Sequence, residues 1–273
     1  RAKRAGSFAF FSYYQYNKLT MTKFKTILLI LMLGLALYLG VFKGRKPVVV
    51  ENPGIWIDEE VAPEEEVSAG TWETDESDLY KITYDLSGIT DEEAKPDIER
   101  WVSDRVSQFK EEAGFENLTE EDKEFLGFNR GMKYTLDFTY ELKESEKIKT
   151  YIIKSSVFTG GAHGNLEILT FHYDKETGKR ISLSDVFTKS PSQYLPVLAA
   201  LGDKFLQSEY PDVAFYEGLA PEPVNWATWY AKDDSLVFIF QTYQVVPYAY
   251  GTPEFEVKAA GVSDFINLKY FTN

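Results

Sequence analysis

The longest apolar run in the chain, TILLILMLGLALYLGVF, extends from Thr26 to Phe42 and contains no charged residue. Lys23 and Lys25 precede it, and Lys43 follows it directly. A helix over these residues is about 25 Å long, close to the hydrocarbon thickness of a bilayer. The flanking lysines can extend toward the lipid headgroups. The pattern therefore predicts a single transmembrane helix at residues 26–42.

A cleaved secretory signal is the main alternative to this anchor. Such a signal has a shorter apolar region, followed by small residues at the cleavage point. The run here is longer and no A-x-A sequence follows it, so an uncleaved anchor is favoured over a cleaved signal. A buried helix of a globular protein is a third interpretation.

The orientation of this helix depends on the segment before it, residues 1–25. Six basic residues precede the apolar run and three follow closely, which favours an amino terminus inside the cell. Met21, however, opens the stretch MTKFKTILLI, which has the form of an export signal. Residues 1–20 are therefore also open to interpretation as an artefactual extension. Without them, the distribution of basic residues does not decide the orientation.

Residues 43–77 are acidic, contain prolines and glycines, and show no sustained period, so they are predicted as a stalk. Within this segment, residues 47–57 carry enough apolar side chains for an edge strand or a docking segment. The folded part is expected to begin near Asp78.

The first part of the folded region predicts a strand and then a helix. Residues 79–89 alternate as a strand, and Thr90 and Glu93 have the spacing of a capping box. From Pro96 onward apolar residues recur at helical spacing as far as Gly114, which is a helix stop signal.

The clearest alternation of apolar and polar residues follows, in MKYTLDFTYEL. The segments KTYIIKSSVF, LEILTFHYD and a short ISL come next, separated by turns, and together they predict an antiparallel meander.

The last third predicts a second helix and three more strands. Residues 191–209 have a helical pattern that contains Pro196. WATWYA and SLVFIFQ flank a turn at Asp233 and Asp234, and a final strand follows Pro253. Strands in runs, with two separated helices, indicate an α+β fold. We expect antiparallel sheets with two main helices, preceded by the transmembrane helix.

Charge and composition narrow the choice of partners. All nine basic residues before position 47 lie in an acid-free segment, so residues 47–273 hold 20 basic and 43 acidic residues, a net charge of −23. Such a surface repels nucleic acid and anionic polymers and attracts cationic proteins or metal ions, although solubility alone also explains it. The chain has no cysteine, which excludes disulfides, thiolate metal sites and a cysteine nucleophile.

Two loops stand out as candidate sites. TGGAHGN, residues 159–165, holds three glycines and one of two histidines, which suits either a tight turn or close approach of a ligand. QTYQVVPYAYGTPEF, residues 241–255, carries aromatic side chains on a proline-containing loop. Rigid aromatic side chains make good binding anchors, but they can also cover the edge of a core.

Signals for catalysis are weak. A zinc site on His163 and His172 would need a further ligand such as Asp174 or Asp185, and no spacing requires one. His172 is better interpreted as a strand residue and His163 as a hydrogen-bonding loop residue. There is no G-x-S-x-G motif, and the acid runs lie in the solvated stalk. We expect no catalytic residue, no metal and no cofactor.

The motifs FTGGAHGN, FHYDKETGKRISLSDVF and YQVVPYAYGTPEFEV, in this order around a helix, resemble the extracytoplasmic module of RsiV-type anti-sigma factors and PdaC-type deacetylases. The resemblance covers a PdaC-like half, residues 78–160, and an RsiV-like half, residues 161–273. It implies an α+β fold outside the membrane and, in the anti-sigma branch, a receptor that binds lysozyme and is then cleaved.

Two parts of those families are not expected here. At most 25 residues precede the apolar run, which leaves no room there for a sigma-binding segment. The deacetylases carry a separate catalytic domain with metal-binding Asp and His motifs, and this chain has two histidines and little spare length.

The interpretation that we adopt is a non-enzymatic binding or sensor module, anchored in the bacterial cell membrane by residues 26–42 and facing outward. Its ligand would be lysozyme, another cationic wall-associated protein or a glycan, and not nucleic acid. The alternatives are an envelope hydrolase or metal-dependent enzyme that uses His163, and a structural envelope protein. The predicted ligand-binding residues are Thr159, Gly160, Gly161, Ala162, His163, Gly164, Asn165, Val246, Pro247, Tyr248, Tyr250 and Gly251.

Overall fold

The structure is a computed structural model and describes residues 73–271. The predicted transmembrane helix at 26–42 and most of the predicted stalk lie outside these residues. Between residues 73 and 271, no helix is long and apolar enough to cross a bilayer.

In this part of the chain, nine strands form two sheets. The six-stranded sheet has its strands in sequence order: β1 Glu73–Glu76, β2 Tyr80–Tyr84, β3 Tyr134–Glu144, β4 Ile148–Phe158, β5 Asn165–Asp174 and β6 Arg180–Ile181. The three-stranded sheet consists of β7 Trp229–Ala231, β8 Ser235–Ile239 and β9 Glu254–Lys258. Between residues 73 and 271 there are four α-helices: α1 Lys95–Ala113, α2 Glu120–Leu126, α3 Leu183–Val186 and α4 Pro191–Glu209. The predicted α+β class is confirmed, and the two long helices are the two that the sequence predicts.

The predicted meander is confirmed, because β3, β4, β5 and β6 pair antiparallel in order. The alternation in β3 places Tyr134, Leu136 and Phe138 on a buried face. The long hairpin β4–β5 brings Val157 opposite Asn165, so the loop between them stands at one end of the sheet.

Strand β2 pairs with β3 in parallel, an arrangement that the sequence analysis does not anticipate. Helices α1 and α2 form the crossover that a parallel pair requires. The apolar stripe of α1 packs on the sheet through Ile98, Val102 and Phe109, and the helix ends at Gly114 with φ of 62°. The predicted span and stop signal of this helix are therefore confirmed.

The predicted capping box at Thr90 and Glu93 is wrong. Helix α1 begins at Lys95, and Ala94, at its N-cap position, makes no side-chain cap. The residues before the helix are held differently: Asp91 accepts hydrogen bonds from Lys149 and Tyr151 on β4. This attachment to the sheet sets where the chain can turn into the helix.

The second sheet lies between the first sheet and α4. One face of it meets the six-stranded sheet through a small apolar cluster of Ile152, Ile168, Tyr230, Val237 and Ile239. Its other face, with Leu236 and Phe238, forms the largest core together with α4. The layers are therefore α1, the large sheet, the small sheet and α4.

Strand β1 lies within residues 43–77, the segment predicted as stalk. It pairs antiparallel with β2, and all four of its residues are exposed. Its sequence, ETDE, has no alternation of apolar and polar residues that would indicate a strand.

Candidate binding surface

The loop between β4 and β5 reverses the chain at glycines. Any other residue at these positions would be strained. Gly160 and Gly161 have φ of 88° and 106°, in the region that favours glycine. At Gly164 a Cβ atom would lie 2.9 Å from the carbonyl oxygen of Val157, so the backbone passes too close for any larger residue. This tight turn leaves the side chain of His163 exposed.

The loop between β8 and β9 is attached to β5 by the side chain of Gln241. The amide oxygen of Gln241 accepts from the backbone N–H of Ile168 at 2.9 Å. Its amide nitrogen donates to the backbone oxygen of Ile168 at 2.6 Å and to Thr228 Oγ1 at 3.0 Å. The amide group thus pairs with Ile168 as a neighbouring strand would, and Thr242 Oγ1 adds a bond to the oxygen of Leu166 at 3.0 Å.

A second glutamine fixes the same loop from the other side. Gln244 accepts from the backbone N–H of Gln241 at 2.9 Å through its amide oxygen. Its amide nitrogen donates to the backbone oxygens of Gly218 and Asn225, at 3.0 and 2.9 Å. These bonds join the loop to two 3₁₀ turns, Tyr216–Leu219 and Pro223–Trp226.

Tyr243, between these two glutamines, has an unusual backbone. Its φ is 64°, and it is the only non-glycine residue with positive φ between residues 73 and 271. For a tyrosine this conformation is costly, and it persists only where the surroundings determine it, as Gln241 and Gln244 do here. The side chain remains 52% exposed, so core packing does not explain why the conformation is kept.

The two loops meet at three aromatic rings. The imidazole of His163 stacks on Tyr248, with 4.1 Å between ring centroids and 21° between planes. The hydroxyl of Tyr243 lies 3.4 Å from His163 Nε2, and its ring centroid is 5.6 Å from that of Tyr248. We call His163, Tyr243 and Tyr248 the aromatic surface.

Most of the predicted residues surround this surface. Thr159, Gly161, Ala162 and Asn165 are exposed beside His163. On the other loop Tyr250 is 51% exposed and lies edge-on to Tyr210, and Gly251 has φ of 70°. The remaining predicted positions, Gly160, Gly164 and Pro247, are half-buried.

Val246 differs from the other predicted site residues. Its side chain has no exposed area and belongs to the core around α4. It supports the loop from below and offers no surface to a ligand.

Three residues of the site lie in the candidate loop 241–255 but are absent from the predicted ligand-binding residues: Tyr243, Gln241 and Gln244. The aromatic character of Tyr243 was visible, but its exposure depends on a left-handed backbone that no local pattern indicates. The repeat QTYQ after a buried strand is the available signal, because glutamines that flank a turn can bond to exposed backbone groups.

The two ring nitrogens of His163 contact different loops. Its Nδ1 lies 2.8 Å from the backbone oxygen of Gly164. Because a carbonyl oxygen only accepts, Nδ1 is the donor in this contact, and Nε2 lies 3.4 Å from the Tyr243 hydroxyl. Both ring nitrogens therefore already have partners within the surface.

The proposed metal ligands lie in other environments. His172 is buried, stacks on Trp229 at 3.7 Å between centroids, and contacts Thr150 through Nδ1. Burial, and then the charge of Arg180, lowers the pKa of His172 to about 3. Asp174 accepts backbone hydrogen bonds within its own turn. No group of three metal-binding side chains is found between residues 73 and 271.

The fold and this surface define an α+β module with exposed aromatic rings on two firmly held loops. Residues 184–260 match the model of a family described as "Protein of unknown function (DUF3298)". This match covers α4, the three-stranded sheet and the loop that carries Tyr243.

The peptidoglycan-N-acetylmuramic acid deacetylase PdaC of Bacillus subtilis is 24% identical over 195 residues. The alignment covers 70% of this chain and 39% of PdaC, so the chain spans about two-fifths of the length of this relative. These two matches support a DUF3298 module at residues 184–260 that is shared with PdaC-type proteins, as the motif resemblance predicts.

Two solved structures are also similar. A DUF3298 family protein from Pseudomonas aeruginosa has a TM-score of 0.41 and 14% identity, over 71% of this chain and 86% of that one. A DUF3298 family member from Bacteroides fragilis has a TM-score of 0.49 and 14% identity, over 72% and 92% of the two chains.

Proposed function

We propose that this chain is a membrane-anchored binding module of the bacterial cell envelope, which holds its ligand non-covalently on the aromatic surface. Residues 26–42 would form the anchor, residues 43–72 the stalk, and the described α+β module would lie outside the membrane. The ligand would be a cationic protein such as lysozyme or a glycan of the wall. The module shared with PdaC, whose name refers to peptidoglycan, supports an envelope location.

The observation that carries this proposal is the conformation of Tyr243. Its backbone has a costly φ of 64°, yet the ring that this conformation positions is about half exposed. The loop around Tyr243 is held by the side-chain amides of Gln241 and Gln244. Besides the bond between the two glutamines, these amides make five hydrogen bonds of 2.6 to 3.0 Å to other residues. A ring that is fixed before binding loses little conformational entropy on contact, as expected of a binding anchor.

A binding assay with the full chain tests this role. Wild type, Tyr243→Gly and Phe125→Ser would be immobilised and offered peptidoglycan sacculi and, separately, lysozyme. Phe125 is the matched control, because it is an 84% exposed aromatic residue on α2, outside the two loops. We expect wild type and Phe125→Ser to retain at least one of the probes, and Tyr243→Gly to bind it about tenfold more weakly. Equal retention by all three proteins, or by none, contradicts the proposal.

The location needs a separate test. Protease added to intact cells that produce the chain should degrade the α+β module, while a cytoplasmic marker protein stays intact. A module that is protected in intact cells and degraded only after lysis contradicts the outward orientation.

A further inference from the structure

The two segments that form the aromatic surface contain no Asp, Glu, Lys or Arg. They are residues 155–166 and 240–253, in a chain of which 26% of residues are Asp, Glu, Lys or Arg. Beside the exposed imidazole of His163, their exposed polar groups are the carboxamide of Asn165 and the hydroxyls of Ser156, Thr159, Tyr243 and Tyr250. The surface therefore combines ring faces with neutral hydrogen-bonding groups.

Charged residues occur on the segments that adjoin the two loops. Glu217 and Glu222 lie on the segment whose backbone Gln244 holds, and both are exposed. Glu167, which follows the first segment, is engaged by Arg105 at 3.3 Å. No lysine or arginine occurs between Lys204 and Lys232. The exposed charges on this side of the second loop are therefore carboxylates, which lie outside the two uncharged segments.

The surface is open. Cavities of about 530 and 480 Å³ are both lined by residues of α1, on the far side of the large sheet. A cavity of about 320 Å³ includes Thr159 but is otherwise lined by α1 and the large sheet. Tyr243 is 52% exposed, which suits contact with part of an extended molecule.

We propose that the ligand of the aromatic surface is an uncharged glycan of pyranose rings; this inference rests on the proposed binding function. One face of such a ring presents polarised C–H groups, which are attracted to the negative face of an aromatic ring. The hydroxyl and amide groups at the edge of the sugar pair with neutral donors and acceptors like those of Asn165 and the tyrosines. Tyr243, about half exposed, provides a stacking ring, and Tyr250, equally exposed, lies two residues after Tyr248 on the same loop.

Titration of the full chain with two hexasaccharides tests this ligand class. The probes are a β-1,4-linked N-acetylglucosamine hexamer and a β-1,4-linked glucose hexamer, in a detergent without a sugar headgroup. Binding of both shows recognition of the ring face, and binding of the first alone shows that the acetamido group contributes. In either case we expect less than about a twofold change in Kd between about 0.05 and 0.5 M salt, because no ion pair is formed.

The variants and a protein probe complete the test. Tyr243→Gly and Tyr250→Ser should each weaken sugar binding about tenfold, and Phe125→Ser should leave it unchanged. If lysozyme binds in a salt-sensitive way and neither sugar binds, the glycan inference is overturned while the binding function stands. If no probe distinguishes wild type from Tyr243→Gly, both fail.

Discussion

The hydroxyl of Tyr243 lies 3.4 Å from Nε2 of His163, a contact between residues 80 positions apart in the sequence. It joins the loop of the β4–β5 hairpin to the loop between β8 and β9. One face of the His163 ring stacks on Tyr248, with 4.1 Å between the ring centroids. The two loops that the sequence predicts as separate candidates therefore form one surface, which Tyr243 and Tyr248 join to His163.

Replacing Tyr243 by glycine should separate stability from binding. Glycine adopts the φ of 64° at this position without strain, and the ring it removes is half exposed. We expect the free energy of unfolding to stay the same or to rise by up to about 1 kcal/mol, since the relieved strain offsets the lost contacts with His163 and Tyr248. Urea denaturation of wild type and variant measures this difference.

The companion variant Tyr243→Val makes the test stricter. A β-branched residue at positive φ is strongly disfavoured, so this variant should be less stable than Tyr243→Gly by about 1 to 2 kcal/mol. If valine and glycine give equal stability, the left-handed conformation is not maintained in solution.

Much of the fold follows from local patterns. The alternation through Tyr134, Leu136 and Phe138 is enough to define β3, and the apolar stripe ending at Gly114 defines α1. These elements are predictable because each buries one face against a single neighbour, so that period and burial agree.

The features that were missed depend on distant partners. The parallel pairing of β2 with β3 is set by the packing of α1 across the sheet, and nothing in the five residues of β2 encodes its direction. The attachment of Gln241 to Ile168 spans 73 positions. In the site, the aromatic residues were recognisable as candidates, but the glutamines that orient them were not, because their role exists only after β5 and β8 are in place.

Gln241→Ala should destabilise the module more than a typical substitution in a loop. The change removes three hydrogen bonds and leaves the N–H and C=O of Ile168 without this partner. We expect a loss of about 2 to 4 kcal/mol, measured by urea denaturation. Gln207→Ala on α4 is the control, because Gln207 is exposed and its amide bonds to the side chain of Asp203 one turn earlier, and it should cost less than about 0.5 kcal/mol. Similar costs for the two variants would show that the amide of Gln241 does not hold the loop.

Gly218→Ala tests the second attachment of the loop. A Cβ atom at Gly218 would collide with the backbone oxygen of Gln244, so the 3₁₀ turn and the loop would have to move apart. We expect a loss of about 1 to 3 kcal/mol together with weaker ligand binding, since the displaced loop carries Tyr243. Gly261→Ala is the matched control, because a Cβ atom there has no neighbour within 4 Å. If both alanine variants unfold at the wild-type urea concentration, the contact is looser than the structure shows.

The buried ring of His172 should make the module sensitive to mild acid. It lies at the junction of the two sheets, stacked on Trp229, and its Nε2 has no hydrogen-bond partner among the described residues. Burial lowers the pKa of His172 to about 3, from 6.5 when the ring is in water. Below pH 6.5 the unfolded chain therefore binds a proton that the folded chain does not, and stability falls as pH decreases from 6.5 toward 3.

The size of this effect follows from linkage and can be isolated with one variant. Each pH unit in that window costs up to about 1.4 kcal/mol, so His172 should account for about 2 to 3 kcal/mol between roughly pH 7 and 4.5. His172→Phe keeps an aromatic ring against Trp229 and removes the titration. We measure the free energy of unfolding of both proteins by urea denaturation. Between roughly pH 7 and 4.5, we expect that of His172→Phe to decrease by about 2 to 3 kcal/mol less than that of wild type. The carboxylates contribute equally to the pH dependence of both proteins. Lys232 and Lys258 lower the pKa of Glu256 from 4.5 to about 2, so the stability that this group contributes is lost below the pH window of His172. Parallel pH profiles for the two proteins would mean that His172 accepts a proton as readily in the folded chain as in the unfolded one.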